Sequence, residues 1–295
     1  MLTNRVKVGV DIGARTMRAV ALSQEGNTYR LHAMVETARV PNHPVPTPQD
    51  VERLIHALER QNIDGSRMTV AIPYDRLLSA IVELPPRSSG APIETLDRAE
   101  LAKGIDGQHE VHVWDLPPGR RARASEYFAI GLPHIAANEL LAPFLRNGVE
   151  VEALEPEASA LMRITGANSR VVLVAGARTI GIYAYEASTT LFTRTIELSG
   201  ETIDSDRIRS SLMGTVDYLA ERFPLLEEAS VIVLGDPAAS DRLAASLQRE
   251  YETVVERELR IEIRPVGWLA GFELDSRWAI AIGLASTRVE QEVAA

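Results

Sequence analysis

The chain has 295 residues, 41 acidic and 31 basic side chains, a net charge of −10, 45% hydrophobic content and no cysteine. That length holds one large domain or two lobes with separate cores. The acidic balance argues against a nucleic-acid partner, and the lack of cysteine excludes disulfides, thiolate metal sites and cysteine nucleophiles.

The opening MLTNRVKVGVD has a short apolar stretch broken by charge, unlike a signal peptide. No stretch approaches the ~18 apolar residues of a spanning helix. The expectation is a cytoplasmic protein with no direct membrane insertion, held at a membrane only through a partner.

Arg5 to Val10 reads as a buried strand, Gly13 as a turn, and Thr16 to Leu22 as a second strand. Glu25-Gly26-Asn27 makes a hairpin turn into a third strand, Tyr29 to Val35. Thr47 caps a helix with Pro48 at its first position, and Val51, Leu54, Ile55 and Leu58 line one face. Met68 to Ile72 and Leu78 to Leu84 are two further strands.

From Pro85 to Arg123 the composition turns to loop chemistry, in PPRSSGAP and DLPPGRRAR. A short helix near Asp97–Gly104 and the strands EVHVWDL and EYFAIGL lie in or after it. A helix from His134 to Arg146 follows, where Pro143 is expected to kink or split it. GVEVEAL is a strand and Pro156 to Ile164 a helix. A second meander starts at Val171, and a polar helix covers about 202–222. ASVIVLGD is a buried strand, Ser240 to Glu250 a helix, LRIEIRPV a strand and DSRWAIAIGLASTRV a small-residue helix.

The segments VGVDIGARTMRAVAL (Val8 to Leu22) and VVLVAGARTIGIYAY (Val171 to Tyr185) align at a constant offset, sharing G-A-R-T after a strand. This is an internal duplication at long period. A strand ending in D-x-G puts a carboxylate beside backbone N–H groups, and glycine lets a phosphate approach the main chain. The carboxylate can hold a hydrated Mg²⁺. These features make Asp11, Gly13 and Thr16 the candidate phosphate and metal residues of the first copy, and Gly176 and Thr179 those of the second. The second copy has Val174 in place of the aspartate.

Paired turns in duplicated lobes resemble the actin–Hsp70–sugar kinase superfamily, an α/β fold. Within it, the opening segment resembles the PilM family of type IV pilus assembly proteins and its FtsA relatives. GLPHIAANELLAPFLRNGVEVEALEPEASALMRI, LFTRTIELSGETIDSDRIRSSL and WAIAIGLAST are similar to PilM segments in the same order, so the resemblance covers about 6–288. It implies a two-lobed actin-like fold with a small inserted β-β-α subdomain. The implied division is a first lobe 1–86 completed by 148–169, an insert 87–147, and a second lobe 170–295 with a helical part near 202–230.

The resemblance also implies ATP with Mg²⁺ as ligand, and adds Gly200 and Gly235 to the nucleotide residues. Three places depart from the family: Val174, the Ser199-Gly200 pair where two glycines are usual, and Asp236 after Gly235. A carboxylate facing ATP would be repelled by several kcal/mol at an effective dielectric near ~20. Asp236 is therefore expected to turn outward or cap the following helix. With no positioned base for water, hydrolysis is expected to be slow or absent.

The function implied is a cytoplasmic scaffold that binds the N-terminal tail of a PilN-like membrane protein and meets other pilus platform and motor components. EVHVWDL and EYFAIGL offer strand edges and apolar side chains to an extended tail; Val111, Val113, Tyr127, Phe128 and Ile130 are the candidate contacts. The alternatives are the cytoplasmic domain of a type II secretion platform protein and a small-molecule kinase. For the kinase, Asp204 and Asp206 could supply a base, but they also read as helix-start residues. His109 and His112 read as surface residues, and Trp114, Trp268 and Trp278 as core.

Overall fold

The computed structural model describes residues 5–26, 28–41, 43–90, 108–116, 125–165, 170–176, 179–186, 189–197, 210–211, 214–215, 217–218, 230–251, 255–256, 263–265 and 275–287. The expected helix near Asp97–Gly104, together with Gly200, Asp204, Asp206 and Trp268, lies outside them.

Two meanders organise the molecule. In the first, β1 (Lys7–Ile12), β2 (Thr16–Glu25) and β3 (Thr28–Ala38) pair antiparallel, with β4 (Arg67–Ile72) parallel to β1. In the second, β9 (Arg170–Ala175), β10 (Thr179–Glu186) and β11 (Thr189–Glu197) repeat the meander, with β12 (Ser230–Gly235) parallel to β9. β8 (Glu150–Pro156) extends the first sheet beyond β4, and β13 (Val255–Glu256) extends the second beyond β12.

The duplication holds to the residue. The offset that lays Gly13 on Gly176 also lays the pair Gly9↔Thr69 on Val172↔Ile232, and Val10↔Val70 on Leu173↔Val233. It lays the bulge at Ala21/Leu22 on the bulge at Ala184/Tyr185. A bulge changes which face each following side chain occupies, so its repetition keeps the two meanders' inward faces equivalent.

β1 and β9 each lie between an antiparallel and a parallel neighbour. Both faces are covered, which is why they read as apolar runs rather than as alternating patterns. The two sheets face each other across α3 (Glu157–Thr165) and α5 (Ala279–Ala285). There Val20, Leu22 and Ala71 of the first sheet and Val172, Tyr185 and Leu234 of the second share one core. A Cβ on Gly9 would fall 2.3 Å from the Ala281 carbonyl oxygen, and one on Gly283 2.2 Å from that of Ala160. Small residues therefore let α5 lie directly on β1 and on α3.

The outer face of the first sheet is covered by α1 (Pro48–Glu59) and α2 (His134–Arg146), that of the second by α4 (Pro237–Tyr251). α1 begins at a capping box of Thr47 and Asp50 with Pro48 inside it, as its sequence indicates.

Several boundaries differ from the sequence reading. β5 (Leu78–Leu84), expected in the first lobe, pairs with β7 (Ser125–Pro133), which also pairs with β6 (His109–Asp115), giving a separate sheet in the order β5-β7-β6. The helix expected in the insert, α2, buries Leu140 and Phe144 in the core of the first lobe. Among the described residues the small subdomain is therefore three strands, and that helix packs with the first lobe. α2 also runs unbroken through Pro143, which lies in its last turns and is buried. The segment 170–295 does not stay in the second lobe: β14 (Ile263–Pro265) pairs parallel with β3, and α5 packs on β1.

Candidate functional site: the interlobe cleft and the small sheet

The first turn is closed by the Gly13 N–H, which donates to Thr16 O at 2.9 Å. A Cβ on Gly13 would lie 3.1 Å from that oxygen, so glycine suits the turn. Asp11 is buried at the end of β1 and faces Arg18 Nη1 at 3.6 Å. Burial pushes its carboxyl up to about 6 against the pull of the Arg18 guanidinium. Arg18 also donates from Nε to Glu36 at 2.5 Å.

Behind the turn stands Arg39, which sequence reasoning missed. Its Nη1 donates to Gly13 O at 2.7 Å, its Nη2 to His43 O at 2.9 Å, and its backbone N–H to Arg15 O at 2.8 Å. Its guanidinium is buried and its Nε has no partner among the described residues. A lone arginine at a strand exit gives no pattern from which this brace could be read.

The second turn repeats the geometry, with the Gly176 N–H donating to Thr179 O at 2.8 Å. Its chemistry differs. Asp11 and Arg18 are cross-strand partners, and the aligned partners are Val174 and Gly181. Gly235 ends β12 at φ 111°, and a Cβ there would lie 2.2 Å from Ala175 O. Asp236 begins α4: its Oδ1 accepts from the Ala238 N–H at 3.2 Å, and its carbonyl from the Ser240 N–H at 2.8 Å. It thus caps a helix start, one of the two roles expected of it.

Between the lobes lies a carboxylate that the sequence reading did not single out. Glu157, the first residue of α3, accepts the Tyr183 hydroxyl at 2.5 Å. Burial, and next the negative charge of Asp11, push Glu157 up to about 8, while the Tyr183 bond opposes the shift. Tyr183 itself rises well above its ordinary value through burial and the nearby carboxylate. Further bonds cross the cleft: Tyr185 Oη to Ala158 O at 2.9 Å, and Tyr74 Oη to Thr193 O at 2.7 Å. Glu157 lies within the phrase EPEASAL, but nothing there marks a buried acid meeting a tyrosine from the other lobe.

These residues fit a triphosphate and Mg²⁺ on one side only. Ala14 and Arg15 are exposed at the tip of the first turn, with Asp11 behind them. Both turn glycines spend their N–H within the turn, and the second turn has no carboxylate. Among the described residues no group of three or more His, Cys, Asp or Glu side chains is placed to hold a metal ion. Gly200 lies outside the described residues.

The small sheet corrects the expected side-chain contacts. Tyr127, Phe128 and Ile130 lie on β7, its central strand, and are 1%, 2% and 6% exposed. Tyr127 packs with Val82, Leu84 and Ala129, while Ile130 lines an interlobe crevice with Tyr183 and Thr193. Val111 is buried and Val113 half-buried. A central strand covered on both faces offers no side chain to a partner.

β6 is different, because among the described residues it has a strand neighbour on one side only. The Leu116 N–H donates to Glu126 O at 3.2 Å and the His134 N–H to Gln108 O at 2.9 Å. Antiparallel pairing alternates along the strand, so even-numbered residues of β6 bond β7. The main-chain groups of Val111 and Val113 therefore point to the open edge. Along that edge His112 and Trp114 are exposed, their rings 6.3 Å apart, and Trp114 also meets Phe128 at 6.2 Å. Trp114, expected in the core, is 37% exposed, whereas Trp278 is buried.

No protein-family model and no curated protein matches the chain. Solved structures do. A chain of the PilM–PilN type IV pilus biogenesis complex is similar with a TM-score of 0.64 at 16% identity, over 96% of this chain and 98% of that one. The cytoplasmic domain of EpsL, an inner-membrane component of the type II secretion system of Vibrio cholerae, gives 0.51 at 12% identity, covering 93% and 98%. A Bacteroides thetaiotaomicron protein with an actin-like ATPase fold gives 0.50 at 10%, covering 86% and 91%. Repeated meanders in register, sheets joined through α3 and α5, and these likenesses give one conclusion: the chain has the two-lobed actin-like ATPase fold.

Proposed function

We propose that the chain is a cytoplasmic actin-like scaffold of the type IV pilus platform that binds the N-terminal cytoplasmic tail of a PilN-like membrane protein. The observation that carries this reading is the edge of β6 that has no strand neighbour among the described residues, with outward main-chain groups at Val111 and Val113 beside exposed His112 and Trp114. An extended tail added there gains main-chain hydrogen bonds, and alternate side chains reach the aromatic stripe. Membrane association then comes through the tail; no helix among the described residues is long and apolar enough to cross a membrane. Other platform and motor components would meet the scaffold elsewhere. ATP with Mg²⁺ would be held at the Asp11 turn, with hydrolysis slow or absent.

The likeness to the EpsL cytoplasmic domain supports a second reading, a type II secretion platform. The partner decides between them. Tagged chain, wild type and Trp114→Ala, is incubated with detergent-solubilised inner membranes, and bound proteins are identified. A pilus-platform protein with a short cytoplasmic tail, recovered by wild type and lost with Trp114→Ala, supports the first reading. A secretion-platform protein supports the second. Phosphoryl transfer to a small molecule, with no tail captured, would overturn both.

A further inference from the structure

The two meanders share turn, register and bulge, so the places where they differ stand out. Three aligned positions differ together. Asp11 and Arg18 correspond to Val174 and Gly181, and Val20 corresponds to Tyr183. A Cβ on residue 181 would lie 2.6 Å from Tyr183 Cε2 and 2.9 Å from its hydroxyl oxygen. The tyrosine ring thus occupies space that any side chain at 181 would claim, and from there its hydroxyl reaches Glu157 of the first lobe. Where the first meander has a charge pair beside its turn, the second has a tyrosine that crosses the cleft.

The same crevice is drawn together by Tyr74 and Ser79, which both reach Thr193. Its walls are hydrogen-bonded directly to each other. We propose that Tyr183, set by Gly181, is an interlobe latch that holds the cleft closed without a bound ligand. The latch lies near the Asp11 turn, since the Asp11 charge acts on both Glu157 and Tyr183, so a polyphosphate drawn from that turn into the crevice would have to displace it. In a scaffold this fixes the relation of the lobes independently of nucleotide supply. The inference concerns the cleft alone and does not depend on which partner binds at β6.

The lack of cysteine makes the test direct. Glu52→Cys on α1 and Gln248→Cys on α4 are exposed positions, one on each lobe, and spin labels there report the interlobe distance in the full chain. The wild-type background is expected to show one distance, unchanged by millimolar Mg–ATP. Tyr183→Phe keeps the ring and removes only the hydroxyl, and Gly181→Ala displaces the ring. Each is expected to add a second, longer distance while the chain still melts cooperatively. Should Gly181→Ala fail to fold, Tyr183→Phe and the wild-type nucleotide titration decide. A wild-type distance that shortens on adding Mg–ATP overturns the proposal, as does a Tyr183→Phe distribution identical to wild type.

Discussion

Tyr183 of the second lobe donates its hydroxyl to Glu157 of the first at 2.5 Å, and Glu157 lies in the field of Asp11. Two carboxylates from different elements are thus coupled beneath a tyrosine that belongs to the opposite lobe. The arrangement is costly for an ionised Glu157, and that cost is measurable.

Burial and the Asp11 charge raise Glu157 from 4.5 to about 8, and burial raises Asp11 from 3.8 to about 6. The folded chain therefore holds both protons more tightly than the unfolded chain. The resulting stabilisation is fully present below about pH 4 and is lost as pH rises through 6 and then 8. The melting temperature should fall from pH 5 to pH 9. Glu157→Gln, which remains neutral, should flatten the upper half of that profile. Above pH 8 it should exceed wild type by at least about 1 kcal/mol, since each pKa unit corresponds to about 1.4 kcal/mol.

Packing of α5 on β1 gives a sharper expectation. A Cβ at Gly9 would meet Ala281 O at 2.3 Å and Ala285 N at 2.4 Å, both backbone atoms that cannot rotate away. Gly9→Ala should lose about 3 kcal/mol in denaturant unfolding. At Gly65 the nearest atom, Met68 Cε, is 3.4 Å away and flexible, so Gly65→Ala should change stability by less than about 1 kcal/mol.

Arg39 supplies two hydrogen bonds to carbonyls that are otherwise held by nothing described. Arg39→Met removes the donors but keeps much of the aliphatic bulk. It should cost about 1–3 kcal/mol and speed amide exchange between Ala14 and Arg18, seen by mass spectrometry. Unchanged exchange there would show that the turn holds itself.

Trp114→Ala separates binding from folding. The side chain is partly exposed at the rim of the small sheet. Its loss should shift the unfolding midpoint by under about 1 kcal/mol, yet weaken tail binding at least ~10-fold, as expected of a truncated aromatic anchor.

The meanders were legible in the sequence because their strands follow local rules: β-formers, a glycine turn, and a repeated G-A-R-T phrase. α1 was legible from Thr47, Pro48 and its apolar spacing. What was not legible is non-local. The strand at Leu78–Leu84 was visible, but its pairing with β7 depends on a partner more than forty residues away in the chain. The return of β14 to β3 and of α5 to β1 is likewise topological. Pro143 was expected to disturb its helix. The helix nevertheless runs on to Arg146 with Pro143 buried, and Asn147 Nδ2 donates to its carbonyl. For the site, the Asp11–Gly13–Thr16 turn was readable from its spacing, whereas Glu157, Tyr183 and Arg39 act through contacts between distant elements. Phe128 and Ile130 were misjudged because an apolar strand reads the same at a sheet's centre as at its edge.

In the proposed complex an extended tail pairs with the edge of β6 that has no strand neighbour among the described residues. The most direct measurement is amide hydrogen exchange of β6 in the full chain, with and without the synthetic tail of the captured partner at about ten times its dissociation constant. Low-micromolar binding, about −8 kcal/mol, is expected. The Val111 and Val113 amides, which point away from β7, should exchange readily in the free chain and become protected in the complex. Those of Glu110 and His112, already bonded to β7, should change little. A saturating tail that leaves Val111 and Val113 exchanging as before would contradict the account and place the interface elsewhere.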